Sequence, residues 1–183
     1  LCYCRPDTTW ERENKDFYVP ECSESLYWTP VLFARVNKAG KCIGKKFVSR
    51  YYDAIGCGVL LYTGQDIAFA SCADHTSLLT APSHSVEELD IETNVFEVQK
   101  DGELIFGFPK VNYARMVPSG GELLKEMIED AICKASKLTS LRIGDYMAVE
   151  LTPVCPLASR EECEVSFKAT FCENGLYDLK LIF

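Results

Sequence analysis

The clearest hydrophobic pattern lies near the end of the sequence, in residues 164–171. Apolar and polar side chains alternate there without a break, and this period of two is typical of a strand with one buried face. Residues 173–175 (Glu-Asn-Gly) predict a turn, and residues 176–183 predict a second strand that returns beside the first. A second hairpin is predicted around Asp101-Gly102, because Asp-Gly between two apolar runs is a strong hairpin signal.

Three further runs predict strands, at residues 28–36, 56–61 and 146–151. The first run contains Pro30, which cannot donate a backbone hydrogen bond, so we expect it at the start of a strand or in an edge strand. Between the first two runs, apolar residues of the segment 45–54 recur at helical spacing and predict a short helix.

One long helix is predicted from Gly120 to about Leu138. Ser119 and Glu122 have the spacing of a capping box at its start. The predicted buried stripe comprises Leu124, Ile128, Ala131, Ala135 and Leu138. The chain is therefore predicted to be mainly β with one substantial helix, in the α+β class.

The composition of the chain excludes several classes of protein. The 183 residues are 48% hydrophobic, which suits one folded domain and excludes a disordered chain. The formal net charge of −8 argues against a sequence-independent nucleic-acid binder, which needs a basic face. No apolar run approaches the roughly 20 residues of a membrane span, so we expect no membrane association.

Ten cysteines stand beside only two histidines. Chains that depend on disulfides are usually short, and no Cys-x-x-Cys motif is present to suggest a zinc or redox site. Cys57 and Cys133 lie in apolar surroundings, where a free thiol acts as a small hydrophobic group. We therefore expect a reduced chain and a cytoplasmic location. Cys2 and Cys4 alone are too few ligands for a metal site.

Short motifs occur along the whole chain: RPDT at 5–8, RVNK at 35–38, YYDAIG at 51–56, KDGE at 100–103, SLRIGD at 140–145, ELTP at 150–153 and ENGL at 173–176. In this order they resemble the catalytic domain of fumarylacetoacetate hydrolase-like proteins. No single motif is specific, but the series covers nearly the whole chain. The resemblance implies a mixed β-roll with one long helix, as a single domain over residues 1–183 that lacks the family's N-terminal segment.

Enzymes of this family are similar in using one divalent cation, usually magnesium or calcium, to polarise a β-dicarbonyl substrate. A Glu-x-Glu pair and an aspartate on a neighbouring strand hold the cation. Counted from the surrounding motifs, these ligand positions fall on Thr29, Val31 and Leu60. None of the three is a carboxylate, so the resemblance implies that the metal site is degenerate and that no cofactor is bound. Thr152 and Pro153 remain from the family's substrate loop.

A relocated site is the alternative. Asp66, Asp74 and His75 are the candidate catalytic residues for it, although surface polar side chains are the simpler interpretation. The acidic run 87–92 and His84 offer no recognisable ligand spacing.

Two functional hypotheses follow. The first is a noncatalytic member of the family, expected to form a homodimer and to bind a small organic acid or a paralogous active enzyme. The second is a magnesium- or calcium-dependent hydrolase, isomerase or decarboxylase acting on an acylpyruvate-like β-dicarbonyl acid at a relocated site.

Overall fold

The computed structural model describes residues 2–80, 95–108 and 120–183, with side chains from residue 124 in the last range. The strands are β1 (Trp10–Glu11), β2 (Phe17–Tyr18), β3 (Ser25–Val36), β4 (Tyr52–Tyr62), β5 (Ser77–Leu78), β6 (Phe96–Lys100), β7 (Glu103–Phe108), β8 (Tyr146–Glu150), β9 (Cys155–Ser159), β10 (Glu164–Phe171) and β11 (Asn174–Ile182). The α-helices are α1 (Ile67–Ala70) and α2 (Gly120–Leu138).

The strands form two sheets. The first has the order β1-β5-β4-β3-β8, and β9 pairs with the opposite end of β3 from β8. The second has the order β2-β11-β10-β6-β7. The α+β class predicted from the sequence is confirmed.

The main core lies on the inner face of the first sheet. Trp28 of β3 is buried and meets Phe106 and Phe167 of the second sheet edge-on, with ring centroids 6.4 and 6.1 Å apart. Helix α2 adds Leu124 and Ile128 to the same core. The opposite, outer face of β3 and β4 carries a smaller apolar cluster, and this outer face is where the candidate site lies.

Several predicted elements are confirmed. Helix α2 occupies the predicted range Gly120–Leu138. Strand β10 buries alternate residues as predicted, and β6 and β7 pair around Asp101 and Gly102, whose φ angles of +50° and +82° suit this tight turn. The capping box with Ser119 lies outside the described residues.

The short helix predicted over residues 45–54 is wrong. Only one 3-10 turn forms, at Val48–Arg50, and β4 begins at Tyr52 because this segment pairs with β3. Asp53 consequently lies on a strand, where its carboxylate pairs with Arg35 at 2.9 Å. Tertiary pairing has overridden a weak local periodicity.

Three smaller predictions also need correction. Pro30 lies inside β3, a central strand, and is tolerated at the point where the neighbouring partner changes from β9 to β8. The helix stripe passes through Ile132 rather than Ala131, and Leu138 is 74% exposed. The last hairpin turns at Cys172 and Glu173, both with positive φ, so the turn begins one residue earlier than predicted and Asn174 already belongs to β11.

Candidate functional site

The three predicted ligand positions lie together on the outer face of the first sheet. Thr29 of β3 lies directly opposite Leu60 of β4, and Val31 lies opposite Gly58. Side chains two residues apart on a strand point to the same face. The fold therefore juxtaposes the three positions as the resemblance implies, with a threonine, a valine and a leucine in place of carboxylates.

These positions are packed with apolar side chains. Val31 is fully buried and Leu60 is 5% exposed. Both belong to one cluster whose other buried members are Phe33, Tyr62, Ala70 and Leu79. The space around Val31 and Leu60 is therefore filled by side chains of the protein itself.

The hydroxyl of Thr29 is already engaged. Its Oγ1 donates to the carbonyl oxygen of Thr152 at 2.7 Å and approaches that of Pro30 at 3.3 Å. Thr29 thus ties the middle of β3 to the loop after β8, where the predicted loop residues Thr152 and Pro153 lie. Thr152 is half-buried and Pro153 is exposed.

The residues present do not fit a hard divalent cation. Valine and leucine have no lone pairs, and one neutral hydroxyl cannot offset the cost of dehydrating the ion. Within residues 2–80, 95–108 and 120–183, no three His, Cys, Asp or Glu side chains group closely enough to hold a metal ion. No reaction step through a metal follows from these residues.

A polar network that the sequence analysis missed borders this cluster. The hydroxyls of Tyr3 and Tyr62 lie 2.5 Å apart, and each also lies within hydrogen-bond distance of Glu150 Oε1, at 3.0 and 3.2 Å. Burial is the main cause that raises the pKa of both phenols. The sequence offered a hint of two members of this network, because Tyr62 follows Leu60 by two residues on the same strand and Glu150 begins the ELTP motif. It offered no hint of Tyr3, which comes from a distant segment.

Arg5 fixes the N-terminal segment to the same sheet. Its guanidinium donates to the carbonyl oxygens of Thr76 at 2.9 Å and Leu61 at 2.5 Å, and to Ser77 Oγ at 2.8 Å. It also lies 4.7 Å from the centre of the Tyr62 ring. Desolvation by burial lowers the Arg5 pKa from its ordinary value. The segment that carries Tyr3 is therefore anchored beside the apolar cluster.

The candidate Asp66 has a structural position. It precedes α1, and its carboxylate accepts a hydrogen bond from the backbone N–H of Ala68 at 3.1 Å. This is the role of an N-cap residue.

Asp74 and His75 lie at a separate open cleft of about 390 Å³, which is also lined by Asp7, Thr8, Trp10 and Arg12. His75 Nδ1 lies 2.8 Å from Glu11 Oε2. The Glu11 side chain is 6% exposed and that of His75 is 64% exposed. His75 also has a φ of +59°, an uncommon conformation for a residue other than glycine. A buried carboxylate thus holds an accessible imidazole at the edge of the cleft.

Two cysteines lie close in sequence to the predicted ligand positions or to the motif after them. Cys57 is buried, but it belongs to the inner-face core, and desolvation raises its pKa to about 12. Cys72 is exposed. His84 and the acidic run 87–92 lie outside the described residues.

Among the described residues, no helix is both long enough and apolar enough to cross a lipid bilayer.

Comparisons with known proteins bear on the fold. No family model and no curated protein matches the sequence. Solved structures do match. A Yersinia pestis CO92 protein described as a fumarylacetoacetate hydrolase family member has a TM-score of 0.72 at 16% identity, over 97% of this chain and 82% of its own.

Two similar structures belong to named enzymes. The 2-hydroxyhepta-2,4-diene-1,7-dioate isomerase of Mycobacterium marinum has a TM-score of 0.69 at 12% identity, over 98% of this chain and 67% of its own. Maleylpyruvate hydrolase of Sphingobium sp. SYK-6, in complex with manganese(II) and pyruvate, has a TM-score of 0.68 at 11% identity, over 98% of this chain and 62% of its own. The chain therefore has the fold of fumarylacetoacetate hydrolase family proteins.

Proposed function

We propose that this chain is a noncatalytic member of the fumarylacetoacetate hydrolase-like family. The observation that carries the proposal is the packed apolar cluster around Val31 and Leu60, at the positions where the family's carboxylate ligands are expected. Without those ligands no cation is available to polarise a carbonyl or to stabilise an enolate. The fold would then serve binding and not turnover.

We propose that the chain binds a small organic acid or a paralogous active enzyme. We also propose that it forms a homodimer.

Leu104 and Ile105 support a homodimer, because they are apolar side chains 57% and 37% exposed on β7, the strand at the end of the second sheet. Light scattering after size-exclusion chromatography would give twice the chain mass for a dimer, and the chain mass alone would exclude it.

We also propose a reducing, cytoplasmic environment for the chain. Apart from Cys172, the cysteines are free thiols, and six of the ten are exposed. Such an exposed set is typical of proteins from compartments that keep thiols reduced.

A turnover screen tests the absence of catalysis. The chain would be incubated with acylpyruvates and with oxaloacetate, with magnesium, manganese or calcium added in turn. Maleylpyruvate hydrolase from Sphingobium sp. SYK-6 would serve as the positive control on its own substrate. We expect no turnover above buffer. Metal-dependent turnover by this chain that a chelator abolishes would contradict the proposal.

The alternative, a hydrolase, isomerase or decarboxylase with a relocated site, is favoured by one observation. His75 is held at 2.8 Å by the buried Glu11, as an imidazole that acts as a base is often held by a carboxylate. If the screen gave turnover, His75→Gln would abolish it under this alternative, whereas Asp66→Asn would leave it unchanged because Asp66 caps α1.

A further inference from the structure

We propose that the cleft beside β1 binds a small amino acid as its zwitterion. The inference rests on the proposed function, since it gives the small organic acid a site and a chemical class. It places that site away from the packed face of Val31 and Leu60, at the cleft lined by Asp7, Thr8, Trp10, Arg12, Asp74 and His75.

Arg12 supplies the part of the cleft that would bind a carboxylate. Its guanidinium stacks over the Trp10 ring, 4.2 Å from the ring centre. No hydrogen bond or ion pair occupies the Arg12 donors within the described ranges of the chain. Stacking holds the planar group in place while its N–H donors stay available, and a carboxylate matches such a fork with two parallel hydrogen bonds.

Two acidic residues of the lining would bind an ammonium group. These residues, Asp7 and Asp74, are exposed. His75 lines the same cleft, and the contact of its Nδ1 with Glu11 Oε2 at 2.8 Å holds the ring in place. The Glu11 side chain that makes this contact is buried.

The balance of charge selects the ligand class. Asp7, Asp74 and Arg12 line the cleft, so a simple organic anion leaves the aspartates without a partner and a simple amine leaves Arg12 without one. A zwitterion offers a partner to both kinds of group at once. The volume of about 390 Å³ lies at the lower end of the roughly 300–1,000 Å³ that ligand sites occupy, which suits a small molecule.

The indole signal of Trp10 gives a direct readout of ligand binding in the cleft. The chain has two tryptophans, one at the cleft and one, Trp28, in the main core. In a proton–nitrogen correlation spectrum, the Trp10→Phe variant identifies the Trp10 indole signal. Glycine, L-alanine and L-serine would be titrated into chelator-treated protein, with propionate and ethylamine as single-function controls.

We expect at least one of the three amino acids to shift the Trp10 indole signal saturably, and not that of Trp28, with a dissociation constant at least ten-fold below those of propionate and ethylamine. Arg12→Gln and Asp74→Asn should each weaken this binding at least ten-fold. Arg50→Gln is the matched control, because Arg50 also stacks on an aromatic ring, 5.5 Å from the centre of Phe47, but lies away from the cleft. It should bind as the unmodified chain does.

The inference is overturned if none of the three amino acids binds more tightly than propionate and ethylamine, or if Arg12→Gln binds as well as the unmodified chain. Because the titration is free of metal and measures no turnover, its failure leaves the noncatalytic proposal standing. Conversely, metal-dependent turnover would contradict the noncatalytic proposal without changing the titration.

Discussion

Single side chains decide what the outer face of the first sheet can do. Val31 and Leu60 lie on neighbouring strands at positions where the family resemblance implies carboxylates, and both are buried. An ionised group that replaced Val31 or Leu60 would lie among apolar side chains and lose its contact with water. Val31 and Leu60 therefore contribute to stability through burial.

This role predicts a large cost for Leu60→Asp. Leu60 is 5% exposed, and an unpaired carboxylate there should lower the free energy of unfolding by about 3 kcal/mol or more. Urea unfolding would measure it. Ile143→Asp is the control, because Ile143 is 72% exposed and surface changes usually stay within about 0.5 kcal/mol. Equal losses in the two variants would contradict the packed cluster.

The phenol network predicts a smaller effect for Tyr62→Phe. The change keeps the ring in the cluster but removes the hydroxyl that lies close to Tyr3 and Glu150. We expect a loss of about 1 kcal/mol in the free energy of unfolding. Tyr18→Phe provides the comparison, since Tyr18 is 71% exposed. If both variants unfold at the same urea concentration, the network contributes nothing to stability.

At the scale of elements, sequence patterns predicted what depends on local geometry. Helix α2, the Asp101-Gly102 hairpin and the alternation of β10 follow from spacing and turn chemistry alone. Residues 45–54 do not, because Tyr52 onwards gains its partners from β3, and local periodicity carries no information about that pairing. Likewise, the helical stripe passes through Ile132, since the core selects the larger of two adjacent apolar residues.

The contact between β4 and β5 predicts the effect of Gly58→Ala. A methyl group at Gly58 would lie 2.5 Å from the carbonyl oxygen of Leu78, so one of the two strands must move. We expect a loss of about 1–3 kcal/mol, as for other overpacked sites. Gly64→Ala is the matched control because the space around Gly64 is open. Unfolding at the same denaturant concentration in both variants would contradict the prediction, because β5 would then have moved without a loss of stability.

At the scale of the molecule, the order of the motifs predicted the fold. This fold places Thr29, Val31 and Leu60 on one face of the first sheet. Which side chains cover that face could not be predicted from the sequence. Tyr3 and Arg5 reach partners about 60 to 150 residues away, and such contacts depend on the assembled sheet. The Trp10–Arg12–His75 cleft was missed for the same reason, although His75 itself was a candidate.

The buried Cys57 predicts how stability changes at alkaline pH. Its folded-state pKa is about 12 against an ordinary value of 9.0, so above pH 9 the unfolded chain releases a proton that the folded chain retains. The contribution of Cys57 to the free energy of unfolding therefore falls as the pH rises from about 9 to 12, by up to about 1.4 kcal/mol per pH unit. Urea unfolding with a reductant at pH 8, 9 and 10 would show a steeper decline than in Cys57→Ala. Parallel declines would contradict the prediction.

The central claim is that the fold persists here without the divalent cation of its enzymatic relatives. The most direct measurement is calorimetric titration of manganese(II) into the chelator-treated chain, with the Sphingobium sp. SYK-6 maleylpyruvate hydrolase as the positive control. We expect no binding tighter than ~1 mM for this chain. Saturable binding of one manganese ion per chain at micromolar concentration would contradict the account.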